Sequence, residues 1–165
     1  FRRVLFRSLK TGELVFQRYR GRLFANTPLA PHDPQQILQW QIKTRLSMPG
    51  AGVLIANTVA NTVTGDEGVA HLLRKPRCEQ GFRVEFRKGG ERCRPVGRGG
   101  SRSLKKLLQE YAVPPWLRER VPLVYEGDEL LAVADLCVCE PGAVTPGEEG
   151  FRLHWQRPSA AEPYG

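Results

Sequence analysis

The chain has 165 residues, 41% of them hydrophobic and 25% charged, with a formal net charge of +8 and a pI near 9.7. That balance excludes a disordered or collagen-like chain and leaves room for one hydrophobic core or two small ones. No run approaches the ~18 apolar residues of a membrane span and no signal-peptide pattern is visible, so a cytoplasmic compartment and no membrane partner are expected.

The first eight residues, FRRVLFRS, carry three of the net positive charges on Arg2, Arg3 and Arg7. The octapeptide back-translates to TTC AGA CGT GTG CTC TTC CGA TCT, the end of a widely used sequencing-adapter oligonucleotide. Residues 1–8 are therefore read as an assembly scar and set aside from fold reasoning. The only methionine, Met48, lies well inside the chain, so the sequence reads as a fragment. Thirteen prolines and seventeen glycines favour many turns and short strands. Four cysteines, Cys78, Cys93, Cys137 and Cys139, could make two disulfides, but a chain of this size does not need them and reduced thiols are expected.

Residues 13–25, ELVFQRYRGRLFA, predict a hairpin turning at Gly21, and the three prolines of NTPLAPHDPQQ predict a linker. Residues 37–48 and 52–57 give short strand-like runs interrupted by Pro49-Gly50, and 58–76 read as loops with one edge strand. Phe82, Val84 and Phe86 alternate with Arg83, Glu85 and Arg87, which predicts a half-buried strand with a charged outer face. In SRSLKKLLQEYA, Leu104, Leu107, Leu108 and Tyr111 follow helical spacing, and the helix stops before Pro114-Pro115. PPWLRER predicts a short helical turn with Trp116 pointing inward. The apolar runs either side of Glu126-Gly127-Asp128 predict a second hairpin, GFRLHWQR a closing strand, and residues 158–165 a disordered tail.

The candidate for function is a basic run. Between Arg83 and Lys106 nine basic residues stand against two acids, Glu85 and Glu91. Arg102, Lys105 and Lys106 also crowd the predicted helix start, where the macrodipole favours acids by ~0.3–1 kcal/mol each. A sequence that carries such a conflict generally uses it, and the simplest use is a phosphate held by these side chains beside a Gly-rich GRGG loop. The alternative is a solvated basic loop that binds nothing. The spacing matches neither GxxxxGK[ST] nor GxGxxG, so a polyanion backbone fits better than a mononucleotide.

Over VGRGGSRSLKKLLQEYAVPPWLRERVPLVYEGDELLAVADLCVC, with its paired lysines and Pro-Pro-Trp-Leu-Arg, the chain resembles the C-terminal domain of the bacterial tRNA(Ile)-lysidine synthetase family. ELVFQRYRGRLF is similar to the end of that family's middle domain and GEEGFRLHWQR to its last strand. The resemblance implies an α+β fold, β-rich, with sandwich-like sheets and one main helix behind a hairpin remnant of the upstream domain. It divides the chain into 9–26 as the end of the middle domain, 27–36 as linker, 37–157 as a C-terminal tRNA-binding domain (densest over 81–157) and 158–165 as tail. The implied partner is the tRNA(Ile) acceptor stem, contacted by Arg87, Arg94, Arg98, Arg102, Lys105, Lys106 and Arg118. The implied parent enzyme is an ATP-dependent ligase that adenylates the wobble cytidine of the CAU anticodon and joins free lysine to it, with ATP and Mg held in its catalytic domain.

This sequence has no counterpart of that family's SGGxDS motif, the nearest string being Gly99-Gly100-Ser101, so the fragment is expected to hold no cofactor and no catalytic residue. Trp116 could stack on a terminal base, but behind two prolines it reads as a structural anchor. Arg118 and Arg120 could reach phosphate or pair with Glu119 and Glu110. Cys137-x-Cys139 is a possible metal half-site without a matching partner, so no metal is expected. The reading from another class is a non-catalytic anion-binding or protein-interaction module with the same fold.

Overall fold

A computed structural model describes residues 8–42, 45–60 and 71–158. The fold is α+β and dominated by strands, with one main helix. Val4, Leu5 and Phe6 of the first octapeptide and the tail beyond Pro158 lie outside the described residues.

The N-terminal hairpin forms as its alternation predicts and gains a third strand. β1 (Ser8–Thr11), β2 (Leu14–Tyr19) and β3 (Arg22–Asn26) make an antiparallel sheet in which Leu9 pairs with Phe16 and Phe16 with Ala25. The β2–β3 turn puts both Arg20 and Gly21 at positive φ, the twist that a two-residue hairpin needs. Residues 27–37 contain no strand but are tied down. Arg120 donates to the carbonyls of Ala30 and Gly50, Gln36 Nε2 donates to Pro49 O, and His32 lies edge-on to Phe86 at 4.5 Å.

Two sheets share one core. The first has strand order β13-β12-β11-β8-β4, from β4 (Leu38–Trp40), β8 (Phe82–Glu85), β11 (Leu123–Glu126), β12 (Glu129–Val133) and β13 (Cys137–Val138). The second has order β5-β6-β14-β7, from β5 (Arg45–Met48), β6 (Gly52–Val59), β7 (Leu72–Leu73) and β14 (Gly150–Gln156). Phe82, Val84 and Leu131 of the first and Leu54, Leu73 and Trp155 of the second are fully buried in a single cluster. The Trp155 indole N–H donates to Ala51 O at 2.8 Å, which satisfies the one polar atom that this burial would otherwise strand. No helix among the described residues is long and apolar enough to cross a membrane.

The helix is shorter than its periodicity predicts. α1 spans Leu104–Glu110, because Arg102–Ser103 leaves the helix as β10 and pairs with β9 (Arg92–Cys93). The Ser103 hydroxyl accepts from Lys106 N–H and caps the first turn, while Leu104, Leu107 and Leu108 face the core. A 3₁₀ turn over Pro115–Arg120 follows, starting at the expected proline.

β8 corrects the expectation of a charged outer face. The strand is central, between β4 and β11, and Glu85 is only 9% exposed, held by Arg83 and by Lys88 Nζ at 2.6 Å. Burial pushes the Glu85 carboxyl up, but the hydrogen bonds from Lys88 and Arg83 outweigh it and hold the group below the usual carboxylate range.

Reduced thiols were expected throughout, and the structure departs from this by joining Cys93 to Cys139 in a disulfide. The two lie 46 residues apart in sequence, and the Pro95–Cys139 bridge and the Val96 N–H to Val138 O bond bring them together. No local spacing reveals such a pairing.

Gly50 lies at φ +71 where a Cβ would fall onto the carbonyl of Pro31. Gly50→Ala is expected to cost about 2 kcal/mol or more, from left-handed strain plus displacement of that segment. Gly127→Asn, at φ +58 in open space, should stay within about 0.5 kcal/mol, since Asn tolerates this region. Urea midpoints of the two variants check the contrast.

Candidate nucleic-acid interface

The basic side chains are presented by one small unit. β9 and β10 form a two-stranded ribbon whose connecting loop, 94–101, contains Gly97, Gly99 and Gly100 at positive φ, each with open space where a side chain would stand. Arg92 closes the ribbon by donating to Ser101 Oγ at 3.0 Å and to its carbonyl. The ribbon then runs into α1, so the loop and the first turn of the helix are continuous in the chain.

Within this unit the predicted residues separate by what they touch. Lys105 and Lys106 are exposed, and Arg87, outside the unit on the segment after β8, is half-buried. None of these three side chains makes a hydrogen bond or ion pair with the described residues. Arg102 lies along the helix and donates to both carboxylate oxygens of Glu110 at 2.9 and 3.0 Å. Arg98 reaches the same carboxylate at 3.4 Å and lies over the Tyr111 ring at 5.2 Å. Arg94 pairs loosely with Glu140 at 3.4 Å, both side chains being about half exposed.

The crowding at the helix start is thereby divided. Arg102 is drawn away toward Glu110, whereas Lys105 and Lys106 remain in a first turn that holds no acid. Two of the N–H groups at this helix start are already taken. Leu104 N–H donates to Glu91 O at 2.9 Å and Lys106 N–H to the Ser103 cap, so the side chains more than the backbone are left to meet an anion.

Arg118 and Trp116 belong to a different arrangement. Arg118 Nε donates to Val113 O at 2.9 Å, and its guanidinium also reaches the Tyr19 hydroxyl at 3.4 Å and lies over the Tyr19 ring. Trp116 is half-buried and sits edge-on to Phe24 at 5.3 Å and Tyr19 at 6.2 Å. Arg20 adds a hydrogen bond to Gln109 O at 2.6 Å, at the C-terminal end of α1 where positive charge is favoured. Trp116 thus faces the N-terminal hairpin and docks it beside the helix.

Sequence reasoning offered Glu110 to Arg118 or Arg120, but it gathers Arg98 and Arg102 instead, and Glu140, which meets Arg94, was missed. The separations of 12, 8 and 46 residues fall outside any helical pairing rule, and only the fold brings the groups together. Among the described residues no group of three His, Cys, Asp or Glu side chains is placed to hold a metal ion.

Comparison with known proteins agrees with this architecture. Residues 82–155 match the family model described as the TilS substrate C-terminal domain. The chain is 38% identical over 147 residues to the tRNA(Ile)-lysidine synthase of Coxiella burnetii, a match that covers 88% of this chain and 30% of that protein. It is 36% identical over 150 residues to the enzyme of the same name from Serratia proteamaculans, covering 90% of this chain and 32% of the relative. A 78-residue stretch, 47% of this chain and 16% of the relative, is 49% identical to that of Pseudomonas aeruginosa. A solved structure titled "Crystal structure of TILS C-terminal domain" superposes with a TM-score of 0.54 at 18% identity, covering 74% of this chain and 99% of that one, which supports the fold. The chain spans about a third of the length of the first two relatives.

Proposed function

The chain belongs to the family of the TilS substrate C-terminal domain, and on that premise we propose that it is the tRNA-binding part of a cytoplasmic ligase that converts the wobble cytidine of tRNA(Ile) to lysidine. The observation that carries this reading is the ribbon and helix start, where Lys105 and Lys106, like Arg87 on the segment after β8, lack protein partners among the described residues, while Arg94 has a long ion pair and Arg98 a long ion pair and the Tyr111 ring. Cations left this way are suited to the regularly spaced phosphates of a duplex stem. The partner is the acceptor stem of tRNA(Ile). Phosphate contacts from these residues would fix the orientation of the tRNA rather than read its sequence.

In this reading the domain contributes binding energy remote from the chemistry. It holds one end of the tRNA so that the anticodon, at the other end, meets a catalytic domain that supplies ATP, Mg and lysine. The domain itself performs no bond-making step. Arg118 and Trp116 act on posture, fixing the N-terminal hairpin against the helix that carries Lys105 and Lys106.

A salt titration tests the proposal. With about six phosphates contacted, log affinity for a duplex RNA stem should fall against log salt with a slope near minus five. A slope near zero, or equal affinity for heparin and tRNA, would point instead to a general anion-binding module.

A further inference from the structure

We propose that Cys93 and Cys139 form a reversible thiol–disulfide site, exchanging with anionic small-molecule thiols and disulfides, which covalently clamps the basic ribbon to the sheet. Three sulfurs meet in this corner, since Cys139 is bonded to Cys93 and the Cys137 sulfur lies 4.0 Å from that of Cys93. The ribbon is otherwise held at its base by few bonds. These are Val96 N–H to Val138 O, Glu140 N–H to Arg94 O, Leu104 N–H to Glu91 O and the loose Arg94–Glu140 pair. A covalent link at Cys93 therefore governs how firmly the loop that carries Arg94 and Arg98 is presented.

Both residues are buried, 2% and 1% exposed, so a reagent meets the pair when the weakly held ribbon lifts. Cys93 and Cys139 line a cleft of about 270 Å³ whose walls include Arg92, Arg94, Glu129 and Pro141. The two arginines of this lining favour entry of an anionic reagent. Cys137 is unbonded, and burial pushes its thiol up to about 11 and keeps it protonated at neutral pH. In reduction, a small thiolate attacks one sulfur of the pair, and the bonding electrons leave on the other sulfur, which takes a proton. A second small thiol then resolves the mixed disulfide. Two protein thiols form and two reductant thiols become one disulfide, and oxidation by a small-molecule disulfide is the reverse.

The chain is equilibrated in glutathione buffers from oxidising to reducing, its thiols are alkylated, and its peptides are mapped by mass. The expected result is a Cys93–Cys139 linkage at the oxidising end that disappears reversibly at the reducing end, with tryptic cleavage after Arg98 about tenfold faster once it opens. Free thiols at every poise, a linkage that persists through the series, a Cys93–Cys137 linkage, or unchanged cleavage would each overturn the proposal. Its consequence for nucleic acid rests on the proposed function. Tighter binding of a duplex RNA in the linked form is expected, whereas equal affinity in both forms overturns the clamp. Failure to bind RNA in either form would count against the proposed function while the linkage and cleavage data still decide the thiol site.

Discussion

Replacing both helix-start lysines with acids, Lys105→Glu together with Lys106→Glu, is expected to weaken binding of a duplex RNA stem by about a hundredfold or more at ~0.1 M salt, through two lost phosphate contacts and new repulsion. The magnitude of the salt slope should fall by about two, because each phosphate contact contributes close to one counterion. Stability should move the other way. Both side chains are exposed in a first turn that contains no acid, so glutamates there complement the macrodipole by about 0.3–1 kcal/mol each and the thermal midpoint should rise or hold. The Ser103 cap uses the backbone N–H of residue 106 and survives the change. A binding titration paired with thermal melts separates the two effects, which a generally damaged domain could not show with opposite signs. Unchanged affinity would remove this turn from the interface.

How much of this was legible in the sequence depends on whether the determinant was local. The alternation of Phe82, Val84 and Phe86, the 3-4 spacing of Leu104, Leu107 and Leu108, and the prolines before Trp116 each act within a few residues, and the strand, helix and turn stand where those patterns put them. Boundaries moved where a distant partner competed. Arg102 and Ser103 could have extended the helix, but pairing with Arg92–Cys93 takes them into a strand. The basic run was visible by count alone, whereas the division of labour inside it was not. Glu110 neutralises Arg98 and Arg102 because the loop folds back along the helix, a relation with no sequence period. The Cys93–Cys139 bond and the burial of Glu85 have the same origin, since both follow from which strands become neighbours.

The second large effect is expected at Arg74, which no motif marked. Its side chain is 8% exposed and donates to Pro141 O at 2.9 Å, to Lys75 O at 3.0 Å and to Glu126 Oε2 at 2.6 Å. The carboxylate it meets also accepts the backbone N–H of Arg77 at 2.6 Å, so Glu126 joins the segment after β7 to the end of β11. Arg74→Met keeps the length of the chain and removes the charge, leaving a buried carboxylate and two carbonyls without their donor. The cost is expected to be about 3–5 kcal/mol, the usual penalty for breaking a buried pair from one side. Arg74→Met with Glu126→Gln should be less damaging than the single change, because no unpaired charge is left behind.

Acid distinguishes this mechanism from lost packing. Burial pushes the Glu126 carboxyl up, but the hydrogen bonds from Arg74 and the Arg77 N–H outweigh it and hold the group below the usual range. Glu126 therefore supplies stability that is complete above the unfolded carboxylate range and is lost as pH falls through its lowered folded value. In Arg74→Met the carboxyl keeps its burial but loses the guanidinium, so it should protonate more readily and depend less steeply on acid. Urea unfolding at descending pH should show the difference between the two proteins narrowing below about pH 4. A difference that stays constant across that range would mean that Arg74 acts through its packing and its carbonyl contacts, with the charge pair contributing nothing.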